Sequence, residues 1–249
     1  MDAIFQQIET WYNKPFGSVL DAGTGENSLR WLCSLPTNSI TAITGDPYRK
    51  NGLEFSFSKK LRQQDRILHG NWNDNNFLMN EQFDIVIADY LLGAIDGFAP
   101  YFQDQLFGKL KTHMKNKLYI VGLEPYPQVA STNGGKLILD LARLRDACIL
   151  LAKHRCYREY PMQWVCRNLQ THSLSVRKSQ KFPIRYTKDF VMGQLDVCKG
   201  KLNFLPPSLL REGIKEEIRQ LEKKLYQHLQ IEPYIPFGFD YLIEVEHVC

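Results

Sequence analysis

No stretch of this chain approaches the roughly 20 consecutive apolar residues of a membrane-spanning helix, so no integral helical membrane protein is expected. The start, Met1-Asp2-Ala3-Ile4, has no basic residues followed by an apolar run, so no secretory signal is expected either. The six cysteines (Cys33, Cys148, Cys156, Cys166, Cys198 and Cys249) are scattered. None forms a C-x-x-C pair and no histidines stand at metal-ligand spacing, which argues against a structural metal site. Reduced thiols in a cytoplasmic protein are the expectation. Internal repeats and low-complexity linkers are also lacking, which excludes a solenoid and a long disordered segment.

What is present fits one large α/β domain. The chain has 249 residues, 44% hydrophobic and 23% charged, enough to bury a sizeable core. The net charge of +4 is mild, but residues 153–201 hold eleven Lys/Arg against Glu159, Asp189 and Asp196. That segment suits either a solvated face or an acidic partner. The first half alternates short apolar strands with helical patterns, as parallel βαβ units do. Strands are expected at 18–21, 39–44, 66–69, 83–88 and 117–122, and helices at 27–35, 59–64 and 101–114. The run Phe83-Asp84-Ile85-Val86-Ile87-Ala88, apolar but for Asp84, predicts a strand covered on both faces. The second half reads as helices at 136–154, 161–170, 188–202 and 208–229, with strands at 174–186 and 239–248. Pro183 places the first of these two strands at an edge or a bend.

The turn Asp21-Ala22-Gly23-Thr24-Gly25 follows the first strand and opens a helix. Gly23 and Gly25 permit a tight turn and close approach of a ligand to bare backbone. The G-K-[ST] of a phosphate-binding loop is absent. The third glycine of G-x-G-x-x-G is also missing; Asn27 and Ser28 stand there instead, and Ser28 is a candidate helix cap. A carboxylate at Asp21 disfavours an anionic diphosphate and suits an ammonium group. Asp46, about 20 residues on, ends the second strand where an acidic side chain reaches ribose hydroxyls. A nucleoside carrying a cation fits these features.

On these residues the chain resembles the class I S-adenosylmethionine-dependent methyltransferases. The resemblance runs from Val19 to about Glu124. It implies a Rossmann-like, doubly wound, seven-stranded, mostly parallel sheet with an antiparallel C-terminal strand. It implies one domain over residues 1–249, within which 155–238 supply substrate-cover helices and a strand. It implies S-adenosylmethionine as cofactor, with Asp21, Gly23 and Gly25 around its methionine part and Asp46 on the ribose. Asn71 and Trp72 would flank the adenine, Asn71 standing where aspartate is commoner.

Ligands of open α/β sheets sit beyond the carboxyl ends of the strands, which makes Asp89, Tyr90 and Glu124 the candidate catalytic residues. Asp89 and Glu124 are placed to hold an amine or guanidine and accept its proton, with Tyr90 and Tyr126 as walls. No Asn-Pro-Pro-Tyr follows the fourth strand, against one large group of DNA and glutamine methyltransferases. The preferred reading is methyl transfer to a small molecule through nitrogen, by a monomer or homodimer without membrane or metal. The alternative is an RNA or protein methyltransferase using segment 153–201, where Tyr157, Tyr160, Trp164, Phe182, Tyr186 and Phe190 are interleaved with the basic residues.

Overall fold

The computed structural model describes residues 2–248; Met1, and Cys249 among the cysteines, lie outside them. The chain divides into two compact units, Met1–Glu124 with Tyr157–Phe182 and Asp240–Cys249, and Pro125–Cys156 with Pro183–Phe239. Among the described residues the strands are β1 (Gly17–Asp21), β2 (Thr37–Thr44), β3 (Arg66–His69), β4 (Phe83–Asp89), β5 (Met114–Leu123), β6 (Leu174–Thr187) and β7 (Tyr234–His247). The helices are α1 (Ala3–Trp11), α2 (Glu26–Leu32), α3 (Pro47–Phe57), α4 (Leu91–Ala94), α5 (Gln103–Thr112), α6 (Asn133–Leu151), α7 (Met162–Thr171), α8 (Lys188–Lys201) and α9 (Leu209–Ile231).

The strands form one seven-stranded sheet in the order β3-β2-β1-β4-β5-β7-β6. β1 to β5 pair in parallel, whereas β7 runs antiparallel to β5, with Leu123 opposite Asp240. β6 takes the sheet edge, one of the two positions that Pro183 suggested. The expected sheet, including its antiparallel C-terminal strand, is therefore present.

In the first unit both faces of the sheet are covered. Val86 and Ala88 of β4 join a core with Leu106 and Phe107 of α5 and Val165 of α7. Ile85 and Ile87 point the other way, into a core with Ile8 of α1, Leu29 of α2 and Leu53 of α3. The period-2 alternation of a strand thus buries Ile85 to Ala88 on both faces, which is why that stretch shows no polar alternation. The second unit packs α6, α8 and α9 around Ile138, Leu195, Cys198 and Leu225.

One expected helix is misplaced. Residues 59–64 form turns, and the helix of this crossover is α3, started by Asp46 as N-cap and Pro47 in the first turn. Only Leu53 and Phe57 of α3 are buried, while Tyr48 and Phe55 are exposed, so its apolar periodicity is blurred. The cap of α2 also differs: Gly25 is the N-cap, and Ser28, three residues in, reaches back to accept the Gly25 N–H at 3.0 Å. No helix among the described residues is long and apolar enough to cross a membrane.

Candidate functional site

A cleft of about 730 Å³ opens at the carboxyl ends of β1, β2 and β4, within the first unit. Its floor is the glycine turn. The Ala22 N–H bonds Ile87 O at 2.8 Å and the Thr24 N–H bonds Ile43 O at 2.7 Å, tying the turn to both neighbouring strands. A Cβ on Gly23 would lie 2.9 Å from Leu91 Cδ1, so only glycine lets the turn sit this close to α4. Asp21 lies beneath the turn, fully buried, and does not line the cleft. Its Oδ2 accepts the Ser28 hydroxyl at 2.7 Å, while Oδ1 has no hydrogen-bond partner. Burial pushes this carboxyl up to about 6 against the pull of Thr24, Ser28, the Gly23 N–H and the charge of Arg49.

The ends of β2 and β3 form one wall. Asp46 lines the cleft, and its Oδ1 accepts the N–H groups of Tyr48 and Arg49 at 2.8 and 3.3 Å. Its other oxygen makes no hydrogen bond among the described residues and is left for a ligand. Asn71 also lines the cleft, with Nδ2 donating to Phe98 O at 2.8 Å and Oδ1 accepting the Asn73 N–H. The Phe98 ring covers Gly45, where a Cβ would meet it at 2.6 Å. Trp72 is buried and donates through Nε1 to Ala22 O at 2.7 Å, so it braces the glycine turn from below while one edge reaches the cleft.

The opposite wall is the end of β4. Asp89 lines the cleft, and burial, with Asp21, Asp2 and Asp240 nearby, pushes its carboxyl up to about 8. Tyr90 follows on left-handed backbone (φ 48°), with its N–H held by Val121 O at 3.0 Å. Asp240 lies near it, and burial pushes that carboxyl up to about 6. The third catalytic candidate is elsewhere: Glu124 does not line the cleft, accepts the Met162 N–H at 3.2 Å and pairs with Lys181 at 3.4 Å. Tyr126 packs against Phe237 and Tyr186 in the second unit.

Several lining residues were not anticipated. Asp2, Ile4 and Phe5 of the α1 region line the cleft, as do Tyr157 and Glu159. The lining carries five carboxylates (Asp2, Glu26, Asp46, Asp89 and Glu159) against one cation, Arg49, among the described residues. Such a cleft attracts cations and repels phosphates. The local signals were present in part: Asp2 is the N-cap of α1, accepting the Ile4 N–H at 2.8 Å, but nothing near it in sequence says which strand ends it faces.

With this geometry in view, the solved structures are informative about fold. A protein from Bacillus halodurans C-125 assigned as a methyltransferase superimposes with a TM-score of 0.62 at 11% identity, covering 98% of this chain and 99% of its own. A SAM-dependent methyltransferase from Geobacter sulfurreducens, solved with S-adenosyl-L-homocysteine, gives 0.56 at 10% identity and 99% and 91% coverage. The cyclopropane synthase MmaA2 from Mycobacterium tuberculosis gives 0.56 at 13% identity and 97% and 83% coverage. The fold is that of the Rossmann-like methyltransferases. No protein-family model matches the sequence, and no curated protein matches it.

Five of the eleven cations in segment 153–201 are engaged by carboxylates. Arg158, Arg177, Lys178, Lys181 and Lys199 pair with Asp96, Glu246, Glu244, Glu124 and Glu222. Of its aromatics, Tyr186 is buried, Tyr160 and Trp164 pack on one core and Phe182 on another, while Tyr157 and Phe190 are exposed. His69 and His113 bond the backbone carbonyls of Gly45 and Glu81, structural roles for both. Trp11 and Tyr12 pack against the core behind α1.

Proposed function

We propose that this protein binds S-adenosylmethionine in the cleft and transfers its methyl group to a small molecule through a nitrogen atom. The observation that carries the reading is the pairing of a bare glycine turn with an anionic lining. A diphosphate nucleotide would meet the carboxylates of Asp2, Glu26, Asp46 and Glu159 against one guanidinium, whereas a sulfonium and an α-ammonium are cations that this lining favours. The oxygen of Asp46 that makes no hydrogen bond is an acceptor of the kind that a ribose hydroxyl satisfies, and the buried Asp21 carboxyl beneath the turn adds negative potential under the amino-acid end. The Geobacter sulfurreducens enzyme of the same fold, solved with S-adenosyl-L-homocysteine, supports this cofactor.

When bound, S-adenosylmethionine supplies a methyl group on a positively charged sulfur, open to in-line displacement. The chain supplies position and a proton sink. Gly23 and Gly25 offer bare backbone to the amino-acid end, Asp46 holds the ribose, and Asn71, Phe98 and the edge of Trp72 bound the base. An amine arrives protonated at neutral pH and must lose a proton before its lone pair can attack. Asp89, raised to about 8, is a stronger base than an ordinary carboxylate once ionised, and its ionised share grows as pH rises toward 8, so transfer is expected to rise with pH over that range. Water is limited on this side by Ile4 and Phe5, both buried in the wall of the cleft.

Incubation with methyl-labelled cofactor and a panel of amines, guanidines, phenols and carboxylates tests the acceptor. Label is expected on nitrogen acceptors; transfer to oxygen acceptors alone would overturn the nitrogen assignment. An RNA acceptor has less support, since Arg158, Arg177, Lys178, Lys181 and Lys199 of segment 153–201 are engaged by carboxylates. Salt-sensitive retention on RNA would restore it.

A further inference from the structure

We propose that Arg49 sets which nucleoside the cleft selects: its guanidinium pairs with the α-carboxylate of the cofactor, so that the carboxylated nucleoside is taken in preference to its decarboxylated counterpart. This rests on the cofactor reading and deepens it, because the anionic lining alone would make the opposite choice.

The charge balance of the cleft creates the need. At neutral pH S-adenosylmethionine carries two cations, the sulfonium and the ammonium, and one anion, the α-carboxylate. The carboxylates of Asp2, Glu26, Asp46 and Glu159 attract the first two and repel the third. Left to them, the cleft would hold the decarboxylated nucleoside more tightly, since it keeps both cations and lacks the anion. Among the described residues Arg49 is the one cation of the lining, so it alone offsets that repulsion.

Arg49 stands over the glycine turn, the part of the cleft given to the amino-acid end. It lies in the first turn of α3, with its N–H held by Asp46 Oδ1 at 3.3 Å. Side chains of a helix lean toward its N-terminus, here toward the strand ends. A Cβ built on Gly25 would lie 3.2 Å from Arg49 Nη2, so the guanidinium covers that glycine. Gly25 has ordinary extended backbone (φ −128°, ψ 177°), so what glycine provides there is space beneath the guanidinium rather than a special conformation. The charge of Arg49 is also felt below the turn, where it opposes the rise of the Asp21 carboxyl. The guanidinium has no hydrogen bond or ion pair among the described residues, which leaves its five N–H donors open to a ligand. Such a planar fork matches a carboxylate with two parallel hydrogen bonds.

The test compares S-adenosyl-L-homocysteine with S-adenosyl-3-thiopropylamine, the same thioether without the carboxylate, by calorimetry on wild type and Arg49→Gln. Wild type is expected to prefer S-adenosyl-L-homocysteine. Arg49→Gln is expected to bind it about tenfold or more weakly, the effect of losing a charge-assisted contact, so that the preference is lost. The variant is expected to bind the amine at least as tightly as wild type does, which also shows that its cleft is intact; Arg49 is exposed, so the change leaves the core untouched. Equal weakening of both ligands in Arg49→Gln would mean that Arg49 acts on the nucleoside or through the fold. A wild type indifferent to the carboxylate would mean that the carboxylate goes unmet. Either overturns the proposal, whereas failure of wild type to bind either ligand overturns the cofactor reading itself. As a direct readout, the Nε–Hε signal of Arg49, assigned by its loss in Arg49→Gln, is expected to shift with S-adenosyl-L-homocysteine and far less with the amine. Identical shifts would contradict the pairing.

Discussion

Replacing Asp89 by asparagine keeps the shape of the side chain and removes its ionisable proton. In the folded protein the carboxyl titrates at about 8, against 3.8 for the free group, because it is buried beside Asp21, Asp2 and Asp240. Between roughly pH 4 and 8 the folded state holds a proton that the unfolded chain has released, so folding takes up a proton there. Stability therefore falls as pH rises through this window and levels off above it. At 1.36 kcal/mol per unit, a rise from 3.8 to about 8 sets a ceiling of roughly 6 kcal/mol. Asp89 is partly exposed at the cleft, where water and side-chain relaxation reduce that figure, and we expect about 2–3 kcal/mol. Urea denaturation of wild type and Asp89→Asn from about pH 5 to 9 measures the difference. The variant is expected to match wild type near pH 5 and to exceed it by about 2–3 kcal/mol near pH 9, while losing methyl transfer. Parallel pH curves, or a wild type that gains stability across this range, would refute the reasoning.

Asp46→Ala removes both the α3 cap and the proposed ribose contact, so it is expected to lose about 1 kcal/mol of stability together with ligand affinity. Asp46→Asn retains a capping oxygen and is expected to keep its stability while binding S-adenosyl-L-homocysteine about tenfold or more weakly by calorimetry. Gly23→Val places a Cβ 2.9 Å from Leu91 Cδ1 and crowds the floor of the cleft; calorimetry is expected to show binding lost, and unchanged affinity would move the site elsewhere. Trp72→Phe strands the buried Ala22 carbonyl, which now accepts Nε1 at 2.7 Å, and denaturation is expected to show a loss of about 1–3 kcal/mol.

The parts of the site that the sequence revealed are those made by one strand and the turn after it. Asp21-Ala22-Gly23-Thr24-Gly25, Asp46 and Asp89-Tyr90 each sit at a strand end, and the parallel sheet brings those ends together at one edge. The run Phe83–Asp89 was legible because both of its faces are buried. α3 was not, because Tyr48 and Phe55 face solvent and only Leu53 and Phe57 mark its inner side. Glu159 was missed for a different reason: it follows Arg158, whose N–H bonds the Gly93 carbonyl at 3.3 Å, and nothing near it in sequence marks that contact. Glu124 shows the converse. It ends a strand as the pattern requires, but Lys181 and the Met162 N–H engage its carboxylate outside the cleft.

Calorimetric titration of the purified protein with S-adenosylmethionine bears most directly on what the cleft is for. One ligand per chain with a Kd of roughly 100 μM or tighter is expected, weakened at least tenfold by Asp46→Asn. No binding at about 1 mM, or binding that is indifferent to Asp46→Asn and Gly23→Val alike, would contradict the assignment of this cleft to the cofactor.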